Sequence, residues 1–109
     1  MGAPNVVRGG SHSGNIAAMA LVREGLLDVL SSDYYPAALL DGIFRMANAE
    51  GGYALPRAVA CATRHAADAV GLDDRGRLAP GLRGDVIRVR EVDDHPLIAR
   101  VWCAGRIVH

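Results

Sequence analysis

The sequence predicts an α/β chain whose sheet is incomplete, and three observations carry that reading. Two short apolar runs, Asn5 to Val7 and Leu26 to Leu30, are each followed by small polar residues and then by helical spacing, which gives the order strand, helix, strand, helix. A third helical stretch comes next. Beyond Leu72 the chain turns rich in Gly, Asp and Arg and ends in strand-like runs. Parallel sheets normally have both faces covered along several strands, so two strands with their helices make only part of such a layer. The expectation is a chain cut from something larger.

Each element has a local reason. Asn5 to Val7 runs into Arg8 and then the loop Gly9-Gly10-Ser11-His12-Ser13-Gly14, so it reads as strand then loop. From Ile16 the apolar positions Ile16, Met19 and Ala20 follow helical spacing, with Ser13 or Asn15 able to cap the start and Gly25 suited to the end. Leu26 to Leu30 is apolar apart from Asp28, as expected for a strand buried on both faces, and it ends in Ser31-Ser32-Asp33. Pro36 suits the first turn of a second helix, in which Leu40, Ile43, Phe44 and Ala47 keep the i, i+3, i+4, i+7 pattern. Asn48 to Tyr53 breaks it. Pro56 opens a third helix with Val59, Ala62, Ala66 and Val70 facing one way, and Gly71 is placed to end it.

Leu72 to Gly84 reads as turns between two structural layers, which sets a boundary between residues 1–71 and a β-rich segment, 72–109. Within the latter, Val86 to Val89 and Leu97 to Cys103 are strand-like. Ala104-Gly105 separates the second run from Arg106-Ile107-Val108 as a tight hairpin does.

Composition excludes several function classes. The 109 residues suit one domain with one modest core, and the formal net charge is zero with scattered arginines. Nucleic acid and anionic membranes are therefore not expected partners. Every basic residue is arginine, so a lysine nucleophile or a carbamylated lysine ligand has no source here. Cys61 and Cys103 stand far apart, with no CxxC pair and no zinc-site spacing, and both read as packing residues. No apolar stretch is long enough to span a bilayer and no signal core is present, so a cytoplasmic location is the expectation.

Asp33 is the leading candidate for chemistry, because it sits just past the carboxyl end of a predicted parallel strand, where α/β folds place their active sites. A carboxylate there can bind a metal or take a proton from metal-bound water. The alternative is an aspartate capping the helix that begins near Pro36, and the local sequence leaves both open. The loop Gly10, Ser11, His12, Ser13, Gly14 and Asn15 joins a strand to a helix and lets backbone amides approach an anion, with phosphate the natural ligand. It matches neither phosphate-binding glycine fingerprint, so a plain tight turn stands beside that reading. A GxSxG nucleophile elbow fails because that register places His12 where the serine belongs. His12 itself can ligate metal, donate to a phosphate oxygen or act as an acid; its alternative is a surface loop residue. His65 lacks a partner at i+4 and reads as a partly exposed helix residue, while His95, in a turn, and His109, at the terminus, receive no role.

Taken together, MGAPNVVRGGSHSGN at residues 1–15 and LLDVLSSDYYPAALL at residues 26–40 resemble the last two barrel strands of the alpha-D-ribose 1-methylphosphonate 5-triphosphate diphosphatase family, within the amidohydrolase superfamily. The tail GLDDRGRLAPGLRGDVIRVR, residues 71–90, followed by VWCAGRIV, resembles the broader superfamily ending, in which a returning segment completes a small β-sandwich beside the barrel. The resemblance covers almost the whole chain. It implies a partial (β/α)8 barrel, its last two βα units, joined to C-terminal sandwich strands. It also implies that the intact enzyme hydrolyses a triphosphate, releasing pyrophosphate and leaving ribose 1-methylphosphonate 5-phosphate. Asp33 matches the aspartate after the eighth strand, which ligates metal and shuttles the proton of the attacking water; residues Gly10 to Asn15 match the loop after the seventh strand, on the substrate side. The implied cofactor is a divalent metal, with zinc expected.

The chain departs from the family pattern in lacking the His-x-His pair after the first strand, the bridging ligand and the histidines of the middle strands. Smaller departures are His65, near a usual Asn-Pro pair, and Gly84, where Ala usually precedes Asp85. The leading expectation is a C-terminal portion of a metal-dependent diphosphatase that binds no metal tightly and does not turn over alone. The alternative is a non-catalytic oligomeric interaction module or phosphate-binding module derived from that fold. A homo-oligomer is expected, since a lone portion of a barrel leaves strand edges and apolar faces uncovered.

Overall fold

The computed structural model describes residues 2–3, 18–31, 38–93 and 95–109. The readings made for Asn5 to Val7, for the loop up to Asn15, for Asp33 and for the helix start at Pro36 fall outside these residues. Within them the order is α1 (Ala18–Arg23), α2 (Ala38–Asn48), α3 (Leu55–Ala62), α4 (Arg64–Ala69), β1 (Val86–Val92), β2 (His95–Cys103) and β3 (Arg106–Ile107).

Local signals set the helix ends. Gly25 adopts φ +73°, its N–H donates to Val22 O at 3.0 Å, and the Leu26 N–H donates to Leu21 O at 2.9 Å. That pair of bonds is a Schellman cap, which a residue free to take a positive φ closes at little cost. Gly71 repeats it after α4, with φ +76° and bonds from Gly71 N to Asp68 O and from Leu72 N to Ala67 O. Pro56 stands in the first turn of α3, where its missing N–H costs nothing.

The buried face of α2 consists of Ala38, Gly42, Ile43 and Met46, with Leu39, Phe44 and Ala47 packed at its margin. The stripe is thus rotated from the expected one toward Gly42. A Cβ on that glycine would lie 3.4 Å from the Ala3 Cβ and 3.5 Å from Leu30 Cδ2, ordinary van der Waals distances, so Gly42 faces both across a close contact. The third helix also differs from expectation. It breaks at Thr63 (φ −123°, ψ −89°), and the buried positions are Ala58, Cys61 and Ala67, whereas Val59 and Val70 are exposed. Small residues face inward because this helix packs directly against backbone.

The segment expected as a strand, Leu26 to Leu30, forms no ladder among the described residues; one parallel bridge, Gly2 to Ser31, marks its end. Leu27 and Leu30 are buried while Asp28 is exposed, a spacing of three rather than the alternation or full burial of a strand. Among the described residues, the Tyr53 hydroxyl, the His65 ring and the Cys61 carbonyl bond the backbone of Leu27, Asp28 and Leu30. The core gathers around this segment, with Ala3, Val22, Leu27, Leu30, Ala38, Ile43, Met46, Tyr53, Ala58 and Cys61 in one cluster. Each fully buried Leu, Ile or Met contributes about 1.5–3 kcal/mol.

The C-terminal strands form an antiparallel sheet in the order β1-β2-β3. Val86 pairs with Trp102 and Val92 with His95, and the register shifts between Arg88 and Val89 so that Ala99 is the extra residue of a bulge. Cys103 pairs with Arg106 across Ala104 (φ +52°) and Gly105 (φ +80°), the two left-handed residues of a tight hairpin turn. Asp85 supports that turn: its Oδ1 accepts from Ala104 N at 2.8 Å, and its Oδ2 lies 2.8 Å from Arg83 Nε. His95, read as a turn residue, opens β2. No described residue of this sheet is buried, and Ile87, Leu97 and Ile107 are 47%, 50% and 58% exposed. The sheet meets the helices where α2 packs against β2, and Asn48 Nδ2 of α2 donates to Glu91 Oε2 of β1 at 3.0 Å. Cys103 is therefore exposed, against the packing role expected of it, because nothing described covers its face. Cys61 is buried as expected.

Candidate functional site

Among the described residues, the best-defined polar constellation surrounds the segment that leads to Asp33. Tyr53, in the turn before α3, is 4% exposed, and its hydroxyl accepts from Leu27 N at 3.0 Å and donates to Leu27 O at 2.9 Å. A buried tyrosine needs a partner for its hydroxyl, and here both backbone groups of one residue supply it. Arg57 stacks 3.8 Å from the Tyr53 ring centroid and donates through Nη2 to Gly25 O at 3.3 Å.

Cys61, one turn beyond Arg57 on α3, accepts the Leu30 N–H on its own carbonyl at 2.9 Å. Its Sγ lies 3.7 Å from Leu27 O and 3.4 Å from Arg57 O. Burial pushes the Cys61 thiol up from its ordinary value, outweighing the nearby Arg57 charge. The thiol is thereby kept protonated, which suits a packing residue and not a nucleophile. On α4, His65 Nδ1 lies 2.7 Å from Asp28 O, and its Nε2 is 3.5 Å from Arg64 Nη2. A carbonyl only accepts and a guanidinium only donates, so the Nδ1–H tautomer satisfies both contacts. Ala3 N donates to Ser31 O at the far end of the segment.

Sequence reasoning did not single out Tyr53 for any role, and it treated His65 as a partly exposed helix residue. His65 is indeed half-buried, but its ring is engaged. The available signal for Tyr53 was chemical: a phenol between a Gly-Gly turn and a proline-opened helix, in a chain with few aromatic residues, has to bury its ring and pair its hydroxyl. The residues selected from sequence, Asp33 and Gly10, Ser11, His12, Ser13, Gly14 and Asn15, lie outside the described residues.

The amidohydrolase family pattern matches residues 8–108. The chain belongs to the amidohydrolase family. It is also 51% identical over 109 residues to alpha-D-ribose 1-methylphosphonate 5-triphosphate diphosphatase from Escherichia coli (strain K12), a match that spans 99% of this chain and 29% of that protein. The amidohydrolase chain thus covers less than a third of the length of this relative. No solved structure matches it. Amidohydrolases generally use a divalent metal. Among the described residues, however, no three His, Cys, Asp or Glu side chains come together to hold one, so these residues by themselves do not fit a metal centre. No helix of the described residues is long and apolar enough to cross a membrane.

Proposed function

We propose that this chain is part of a metal-dependent diphosphatase of phosphonate catabolism that hydrolyses alpha-D-ribose 1-methylphosphonate 5-triphosphate. The phosphoanhydride bond between the α and β phosphates breaks, water supplies the new oxygen, and the products are pyrophosphate and ribose 1-methylphosphonate 5-phosphate. The observation that carries this reading is 51% identity to the named diphosphatase across 99% of the chain. In this reading residues 1–71 contribute the last two βα units of a (β/α)8 barrel, and residues 72–109 contribute strands of a composite β-sandwich.

Asp33 is the catalytic carboxylate, which accepts the proton of the attacking water, and one ligand of a divalent cation, zinc in our reading. Gly10, Ser11, His12, Ser13, Gly14 and Asn15 bind the phosphate chain through backbone amides and small polar side chains. Substrate and product carry several negative charges that do not cross a bilayer unaided, which supports a cytoplasmic location. The exposed apolar residues Ile87, Leu97, Ile98 and Ile107 support self-association of the isolated chain, the homo-oligomer of this reading.

The test is Asp33→Asn in the native polypeptide, with pyrophosphate release from the triphosphate as readout. Loss of turnover by a hundredfold or more, on the order expected for removal of a catalytic base, is the predicted result. A wild-type rate would remove Asp33 from the mechanism. The isolated 109-residue chain should release no pyrophosphate, because a catalytic zinc site needs about three protein ligands and this chain offers one firm candidate.

A further inference from the structure

The arginines that look scattered along the sequence are gathered by the register of the C-terminal sheet. Arg88 of β1 is the direct cross-strand partner of Arg100 of β2. Side chains alternate along a strand, so Arg90, two residues on, projects from the same face as Arg88, and Glu91 projects from the other. The bulge at Ala99 falls beside Arg100, and bulges of this kind re-aim the side chains next to them. All three arginines are exposed, and no ion pair holds them among the described residues. Carboxylates nearby in sequence are engaged: Asp74 by Arg75, Asp85 by Arg83 and the Ala104 N–H, and Glu91 by Asn48. Asp93 lies in the turn beyond the last pair of the ladder.

The Cβ atoms of directly opposed residues are about 4.5–5.5 Å apart, so two guanidinium groups there repel each other and weaken the strand pairing. An anion with several oxygens placed between them reverses that sign. It relieves the repulsion and accepts charge-assisted, bidentate bonds from both. We infer that Arg88, Arg90 and Arg100 form a binding site for a small polyphosphate, with one phosphoryl group between Arg88 and Arg100 and the next reaching toward Arg90. The choice of polyphosphate rests on the diphosphatase reading given above, whose product is pyrophosphate; the placement of the arginines does not. Three guanidinium groups on a chain of zero net charge suit a compact anion rather than a nucleic-acid backbone, which is met by a longer basic track.

The experiment titrates inorganic pyrophosphate into the 109-residue chain, at constant ionic strength and without added metal, and follows the backbone amides of β1 and β2 by NMR. Wild type is compared with Arg88→Gln, Arg90→Gln, Arg100→Gln and, as a control on the same segment, Arg77→Gln. The expected result is saturable binding that shifts the amides of residues 88–90 and 99–101. The Kd should rise about tenfold or more in Arg88→Gln and Arg100→Gln, by less in Arg90→Gln, and not at all in Arg77→Gln. Pyrophosphate should also raise the midpoint of urea unfolding of wild type, but not of a chain carrying both Arg88→Gln and Arg100→Gln. Equal Kd values in wild type, Arg88→Gln and Arg100→Gln overturn the inference, as does binding that never saturates. Inorganic phosphate that binds as tightly as pyrophosphate overturns the polyphosphate assignment. A single-stranded oligonucleotide that shifts these amides where pyrophosphate does not overturns it in favour of nucleic acid. Should Arg88→Gln not fold, Arg100→Gln decides. A native polypeptide that releases no pyrophosphate from the triphosphate, while the arginines still bind pyrophosphate, overturns the diphosphatase reading and leaves the site; an active one whose arginines bind nothing overturns only the site.

Discussion

The hydroxyl of Tyr53 stands 3.0 Å from the amide nitrogen and 2.9 Å from the carbonyl oxygen of Leu27, so one side-chain oxygen satisfies both backbone groups of a buried residue. This pairing lets an apolar segment without a described ladder remain inside the core. Buried backbone groups left without partners are costly, and the Tyr53 phenol both receives from Leu27 N and gives to Leu27 O. Tyr53→Phe keeps the ring and its packing under Arg57, strands the Leu27 N–H and leaves the Leu27 carbonyl only the weak Cys61 thiol donor. The expected loss is about 1–3 kcal/mol of unfolding free energy in urea titration of the 109-residue chain. A change below a few tenths of a kcal/mol would show that water or a neighbouring group replaces the hydroxyl.

The two thiols should separate by reactivity. Cys61 is buried with its thiol pushed up by desolvation, while Cys103 is exposed on β2. Because the thiolate is the reactive species, a small alkylating reagent near pH 8 should modify one cysteine per native chain and two in denaturant. Mass spectrometry should place the native adduct on Cys103. An adduct on Cys61 under native conditions would mean that the helical core opens readily.

Asp85 predicts a pH response in the sheet. The side-chain bond to Arg83 and the backbone N–H of Ala104 hold its carboxyl below the usual carboxylate range. A folded-state value below the unfolded one means that the native state binds fewer protons. The stabilisation is therefore complete above the ordinary value of about 3.9 and is lost as pH falls through the lower folded value. The group is exposed, so the effect should be local. The Ala104 amide resonance should shift as the pH falls below about 4, and Asp85→Asn should remove that titration. A shift that persists in the variant would assign it to another group.

The uncovered sheet predicts association. Ile87, Leu97, Ile98, Ile107 and Val108 are all 46% exposed or more in a sheet with no buried residue among those described. Sedimentation equilibrium of the isolated chain across the micromolar range should show a mass above the monomer. Replacing Ile87 and Ile98 by Lys should lower that mass while leaving the helical signal in place. A monodisperse monomer of wild-type sequence would remove the homo-oligomer from the proposed function.

Local chemistry was legible in the sequence by itself. Gly25 and Gly71 end helices because only a residue free to adopt positive φ closes a Schellman cap, Pro56 opens one because its lost N–H has no partner there in any case, and Ala104-Gly105 turns a hairpin. The family was legible too, carried by residues 1–15, 26–40 and 71–90, while the candidacy of Asp33 rested on its place just past a predicted strand as well as on that resemblance. Tertiary structure decided what depends on neighbours distant in the chain. Leu26 to Leu30 has the composition of a buried strand, and sequence does not show that Tyr53, Cys61 and His65 come from far along the chain to bond the backbone of Leu27, Asp28 and Leu30. Val59 and Cys103 look like core residues by type, yet the close approach of α3 to backbone favours Ala58 and Cys61, and the sheet face bearing Cys103 has no cover. Capping and turning involve groups a few bonds apart, so sequence specifies them; burial and pairing depend on which surfaces meet, and that is settled when the helices close around Leu27 and Leu30.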